Sequence, residues 1–438
     1  MLRAIARRVL ALLVLLAGLA PDEAWAIPAF ARRYETSCQT CHLAYPKLTP
    51  FGEAFRRNAY RFPDGGDEVA EKEEPVALGN EAQAERWPAA VWPGQLPGRL
   101  PLSVTLGGKV QFGNAFETMG HGDEESEHSH SEGESAASEE DAAENELDFS
   151  KVFDGMGLRA GGTLGEPIAF FLAVNVGGHS PIEVERASVQ FTPLRRPTDL
   201  LIKVGRFEPS LHGVTIHRGV VGHLLRLGTM PVGDSTFTVE PFRDGLELSG
   251  VVRKRVGWTL GVVENVTPAT FLAKDAWGRA EVKIGGMPLD GSGGVAGTAA
   301  WREVSVTLGA SGWSGREVVD YVDDQILRLG GDAHVALGDL LVDVVVARES
   351  HTSALDGPPV DADQLFTEVT WVVTPVVFPT ARLEASRLDA GDADWLGLGV
   401  VNAVVRPNVL LRGEVGFGAD AGEDTGFRFA AVEYAAAF

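Results

Sequence analysis

From about residue 101 onward the chain keeps a two-residue period for roughly ten residues at a time, then breaks at Gly, Pro or Asp. In 381–386, Ala381, Leu383 and Ala385 alternate with Arg382, Glu384 and Ser386. In 276–284, Ala276, Gly278, Ala280, Val282 and Ile284 alternate with Trp277, Arg279, Glu281 and Lys283. Segment 409–417 sets Val409, Leu411, Val415 and Phe417 against Arg412 and Glu414. Successive side chains of a strand point to opposite faces, so each run has one apolar and one charged face. A soluble sandwich hides its apolar face and a membrane barrel exposes it. Period two is the same in both, so alternation alone leaves the choice open.

Three further features favour the barrel. The pattern divides into about 16 strands, an even number as bacterial barrels have. They begin near Ser103, Lys151, Pro167, Glu183, Asp199, Arg243, Val256, Asp275, Trp301, Gln325, Leu340, Gln364, Val377, Leu396, Asn408 and Gly426. Connections alternate between long (117–150, 208–242, 350–363, 388–395) and tight (near Gly165, Lys254, Gly338, Thr374 and Pro407), as extracellular loops and periplasmic turns do. The Gly-rich connection 287–300 fits this rule poorly. Finally, Phe438 shares a face with Ala436, Tyr434, Val432 and Ala430, which resembles the terminal aromatic assembly signal of outer-membrane proteins. The expected fold class is therefore all-β, a transmembrane outer-membrane barrel over 101–438.

The 61 acidic and 38 basic side chains give a formal charge of −23, which argues against nucleic acid as a partner. No interior run has the length of a transmembrane helix. At the N-terminus, Arg3, Arg7 and Arg8 precede an apolar stretch from Val9 to Leu19, and Ala24-Trp25-Ala26 offers small residues for cleavage. Residues 1–26 thus read as a signal peptide with the mature chain starting at Ile27; an uncleaved anchor is the alternative, though the run is short for a span.

The only two cysteines lie in Cys38-Gln39-Thr40-Cys41-His42. In an exported protein Cys-x-x-Cys-His is the attachment sequence of one c-type haem, with Cys38 and Cys41 as thioether partners and His42 as proximal iron ligand. A redox disulfide would use the same cysteines but calls for a βαβ context and no histidine. Thr49 suits an N-cap and Pro50 a first helical position, so a short helix is predicted. Phe51 and Phe55, four apart, would pack on the porphyrin, with Arg56 and Arg57 turned away.

Residues 27–63 form this haem segment, and the acidic, Pro-rich stretch 64–100 reads as a linker. The segment is too small to bury a haem, and its Arg32, Arg33, Lys47, Arg56, Arg57 and Arg61 suit docking on an acidic surface. Residues 27–100 hold no methionine and no histidine except His42. The iron is therefore five-coordinate, or ligated unusually by Lys47 or Asn58, or by a group from elsewhere. The long connection 208–242 offers His212, His217, His223 and Met230, with His217 beside Arg218 preferred; Met119 and His334 are further options. The acidic stretch 120–148, with His121, His128 and His130, is either a solvated loop or a weak collector of divalent cations such as Fe(II).

The run Phe30-Ala31-Arg32-Arg33-Tyr34 to His42, followed by Pro46-Lys47-Leu48-Thr49-Pro50-Phe51-Gly52-Glu53-Ala54-Phe55, resembles the N-terminus of the fused outer-membrane monohaem cytochrome c–porin family. Its best-known members are the iron-oxidising cytochromes of Fe(II)-oxidising bacteria. The resemblance implies one haem c on Cys38, Cys41 and His42, held at the mouth of or within the barrel. Electrons would pass between an extracellular donor such as Fe(II) and a periplasmic c-type cytochrome or other carrier. Two other functions fit the same sequence: a diffusion porin with a haem-bearing plug, and a haem-based ligand sensor or peroxidase-like protein.

Overall fold

The computed structural model describes residues 29–34, 38–43, 46–63, 76–77, 95–96, 101–113, 147–148, 151–153, 155–164, 167–177, 180–215, 221, 227, 242–265, 274–293, 302–319, 322–353, 358–374, 376–389, 391–406, 409–420 and 425–437. The expected signal peptide 1–26, most of the expected linker and of the acidic stretch, and His121, His128, His130, His217, His223, Met119 and Met230 lie outside them.

Sixteen antiparallel strands close into one barrel. They are β1 (Leu102–Phe112), β2 (Gly155–Leu164), β3 (Ile168–Gly177), β4 (Ser180–Phe191), β5 (Leu201–Phe207), β6 (Arg243–Val252), β7 (Val256–Glu264) and β8 (Lys274–Gly285). The second half comprises β9 (Val304–Val319), β10 (Val322–Leu337), β11 (Leu340–His351), β12 (Val360–Trp371), β13 (Val377–Leu388), β14 (Ala393–Arg406), β15 (Val409–Ala419) and β16 (Gly426–Ala437). The barrel closes where β16 pairs with β1, from Ala430 opposite Phe112 to Ala437 opposite Thr105. Two short pieces differ from the sequence expectation. Leu147–Asp148, the end of the acidic stretch, pairs with Gln111 and Phe112 above β2. Within the expected linker, Val76–Ala77 pairs with Gln95–Leu96.

Exposure decides the question that alternation left open. Leu327 and Leu329 on β10 are 50% and 58% exposed, whereas Arg328 between them is 2% exposed. Arg328 points inward to Glu349 (2.8 Å) and Gln364 (2.7 Å) on the next two strands. The same inversion holds on β13, where Arg382 and Glu384 are buried and Leu383 is exposed, and on β8, where Trp277, Arg279, Glu281 and Lys283 are buried and Val282 and Ile284 are exposed. A soluble sheet cannot leave this apolar face in water, whereas a lipid-facing wall with a polar lumen requires it. Tight turns between β2 and β3, β6 and β7, β10 and β11, and β14 and β15 share one end with the longer β8–β9 connection, and the long β1–β2 and β5–β6 connections lie at the other end, together with the short β3–β4 and β9–β10 links.

Candidate functional site

Residues 29–63 form three short helices, α1 (Ala29–Tyr34), α2 (Cys38–Cys41) and α3 (Pro50–Arg57), packed inside the lumen toward the tight-turn end. Local chemistry fixes the fold of the motif. Thr49 caps α3: its hydroxyl accepts from Gly52 N (3.1 Å) and donates to Thr40 O (2.9 Å), while its own amide donates to Cys41 O (2.9 Å). The α3 helix therefore lies directly on the Cys-x-x-Cys-His turn, and a Cβ at Gly52 would come within 2.1 Å of Cys41 O. Leu43 N donates to Lys47 O (2.9 Å). His42 Nδ1 sits 3.2 Å from Pro46 O. A carbonyl can only accept, so Nδ1 carries the proton and Nε2 keeps the lone pair, the arrangement of a metal-ligating imidazole. Burial pushes the His42 pKa down, which keeps the ring neutral.

Aromatic contacts give the segment its own small core. Phe55 meets Phe30 and Tyr34 edge-on at 5.3 and 5.7 Å, and Phe51 meets Phe62 at 5.2 Å. Phe55 lines the cavity described below; Phe51, on the same helix, is turned into the packing around Phe62 and does not.

Lys47 and Arg57 of this basic segment dock on carboxylates of the barrel's own inner wall. Lys47 Nζ reaches Asp343 on β11 (2.6 Å) and Glu368 on β12 (3.0 Å), all three buried. Burial alone would lower the Lys47 pKa, but the two carboxylates outweigh it and hold the ammonium well above its ordinary value. Around the lumen, Arg57 pairs with Glu281 on β8 (2.6 Å) and Arg33 donates to Thr163 on β2 (2.7 Å). Leu43 is buried in a cluster with Ala336, Leu341, Phe378 and Leu396.

The connection after β8, the one that fitted the loop rule poorly, braces the segment from below. Asn58 Nδ2 donates to Asp290 O (3.0 Å), and Gly291, at φ +76°, packs so closely that a Cβ would lie 2.6 Å from Pro63. The glycine at this position serves the close contact with the plug.

Between plug and wall lies a cavity of about 360 Å³, within the range of small-molecule and cofactor sites. Cys41 and His42 face it, with Phe30, Tyr34, Phe55 and Tyr60 from the plug and Phe171 and Phe207 from the barrel. Its walls carry more cations (Arg56, Arg57, Arg159, Arg186, Lys203, Arg279) than carboxylates (Glu208, Glu247, Glu281), in a chain of opposite overall charge. His212, from the connection after β5, also lines it. Of the other expected ligands, Lys47 is committed to Asp343 and Glu368, and Asn58 to Ala54 O and Asp290 O. His334 bonds Asp343 (2.6 Å) and lines a second cavity of about 120 Å³ on the Lys47 side of the plug. Arg56 and Arg57, expected to turn away from the haem face, line this cavity; Arg159, Arg186, Lys203 and Arg279 come from four separate strands and share no local motif that would mark them in the sequence.

No family model and no curated protein matches the chain. Solved structures do. The chain is similar to the anion-selective porin of Comamonas acidovorans, at 11% identity over 78% of this chain and 99% of that one, with a TM-score of 0.53. It is also similar to the outer-membrane channel DcaP of Acinetobacter baumannii, at 9% identity over 77% and 96% of the two chains, with a TM-score of 0.51. At these identities the likeness is one of architecture: the chain has a porin-like outer-membrane β-barrel fold.

Proposed function

We propose that this protein is an outer-membrane electron-transfer barrel whose N-terminal plug carries one covalent haem c. The observation that carries the reading is that Cys41 and His42 face an internal cavity enclosed between the plug's aromatic side chains and barrel strands. The lining suits the group. Cys38 and Cys41 would attach the vinyl groups, His42 offers a neutral imidazole oriented by Pro46 O, and Phe55 and Tyr34 offer flat apolar packing. Arg159, Arg186 and Lys203 offer cationic partners for propionates. A bound haem supplies one one-electron centre.

The chain's own contribution is to exclude water, fix the proximal imidazole and place the site at the tight-turn end, which the loop asymmetry of such barrels makes periplasmic. The electron acceptor is then a periplasmic carrier, and Fe(II) is a donor that reaches the site from the outer side. The test is a haem stain and absorption spectrum of the protein in an outer-membrane fraction, reduced first with dithionite and then, in a fresh sample, with Fe(II) at neutral pH. Reduction by dithionite but not by Fe(II) removes the iron-oxidising reading.

A diffusion porin is the second reading, favoured by the fold shared with an anion-selective porin and an outer-membrane channel. It predicts steady solute conductance in planar bilayers, unchanged in His42→Ala. The plug's buried anchors on several faces of the lumen favour a closed barrel instead.

A further inference from the structure

We infer that His212 is the second axial ligand of the haem, so that the site is six-coordinate with imidazole on both faces. The inference rests on the haem reading above and deepens it. Among the described residues that line the main cavity, His42 and His212 are the two imidazoles, and no methionine is present. Of the other candidates among the described residues, Lys47 and Asn58 bond elsewhere and His334 bonds Asp343 at the second cavity, while His217, His223, Met230 and Met119 lie outside the described residues.

His212 is also held in position. It follows Leu211, which is buried among Phe207, Val263, Trp277, Trp313 and Ile326. Leu211 N closes a tight turn on Pro209 O (2.9 Å), and Arg279 donates to Leu211 O (3.3 Å). The residue is only 7% exposed although it belongs to a connection rather than a strand. It lies against Gly330 of β10, where a Cβ would come 3.0 Å from His212 Cε1. An apolar anchor on one side, an arginine bridge to the backbone and a missing side chain opposite the ring together direct an imidazole into the lumen and restrict its motion. A solvated loop histidine needs none of these. An imidazole and a proximal histidine on one cavity match the donor set of a low-spin haem.

The experiment compares detergent-solubilised wild type with His212→Ala by haem stain, absorption and electron paramagnetic resonance, with heat-modifiable gel migration as the check that the barrel has closed. The expected wild type is low-spin and does not bind CO when reduced. His212→Ala is expected to become high-spin, to bind CO stoichiometrically, and to regain the low-spin spectrum when imidazole is added. His212→Met guards against a variant that fails to assemble; it is expected to keep six-coordination and to raise the reduction potential. A wild type that carries haem but is high-spin and binds CO overturns the inference and leaves the haem reading standing. So does a His212→Ala protein that stays low-spin without imidazole. A wild type with no covalent haem overturns both.

Discussion

Lys47 is the most exacting test of how the plug is held. Replacing it by Met keeps the length of the side chain and removes the charge, leaving Asp343 and Glu368 buried with one cation fewer. Breaking a buried ion pair from one side costs about 3–5 kcal/mol, because the carboxylate left behind is uncompensated. Here Arg382 still bonds Glu368 (3.1 Å) and His334 still bonds Asp343 (2.6 Å), which places the cost near the lower end, about 3 kcal/mol. At 1.36 kcal/mol per decade that is on the order of a hundredfold loss in the docked population of the plug relative to the displaced one.

Protease cleavage within 29–63 as a function of temperature reads that population, and Asp343→Asn in the same background completes a double-mutant cycle whose coupling should be about 1–3 kcal/mol. The pH dependence follows from the same pair. The Lys47 pKa is raised above its ordinary 10.5 in the docked state, so its contribution is fully present below that value and is lost as pH rises beyond it. Cleavage in the wild type should therefore increase at strongly alkaline pH, and Lys47→Met should lack that component. A Lys47→Met protein within about 0.5 kcal/mol of wild type would show that the contact contributes no more than a surface ion pair and would refute the argument.

Three other substitutions probe separate parts of the structure. Leu329→Lys on the outward face should cost about 2–4 kcal/mol of barrel stability in lipid, while Leu329→Ala costs far less; equal urea midpoints for the two would contradict a lipid-facing β10. Gly52→Ala drives a Cβ into Cys41 O, so the motif turn and α3 cannot both keep their places; heat-modifiable migration should survive while haem staining is lost, and normal staining would refute the packing. Thr49→Ala removes the cap of α3 and should lower plug stability by about 1–2 kcal/mol, with Thr49→Ser restoring most of it in the same protease assay.

The barrel was legible because period two is a local property. The expected starts at Arg243, Val256, Leu340, Val377 and Gly426 coincide with those of the strands, and the larger displacements, Lys151 for Gly155 and Gln364 for Val360, fall where a connection merges into a strand. The facing of the strands was not legible, since inverting the sheet leaves the pattern unchanged; Arg328 between two exposed leucines resolves it only once neighbours are in place. The site was legible in its near half. Thr49, Pro50 and the motif are local signals. Phe51 and Phe55 do share a helical face, yet what covers each end of that face depends on Phe62 and on the wall. Lys47 finds its partners 296 and 321 residues away, a distance no local pattern encodes. His212 could not be singled out from its neighbours in the same connection, because its inward placement depends on Leu211 entering a cluster built from β7 to β10.

The pairing of β16 with β1 bears on how such a molecule can be made. A segment pinned to several faces of the lumen cannot be laid against them independently once the ring is shut; it must already be inside, or thread in through the tight-turn mouth. Residues 29–63 precede β1, so they are available while the last strand is still missing, and their contacts with β2, β8, β11 and β12 can gather those strands around a common centre. The plug would then serve as a former for the barrel as well as its contents, and the β16–β1 seam would be the step that makes its capture irreversible.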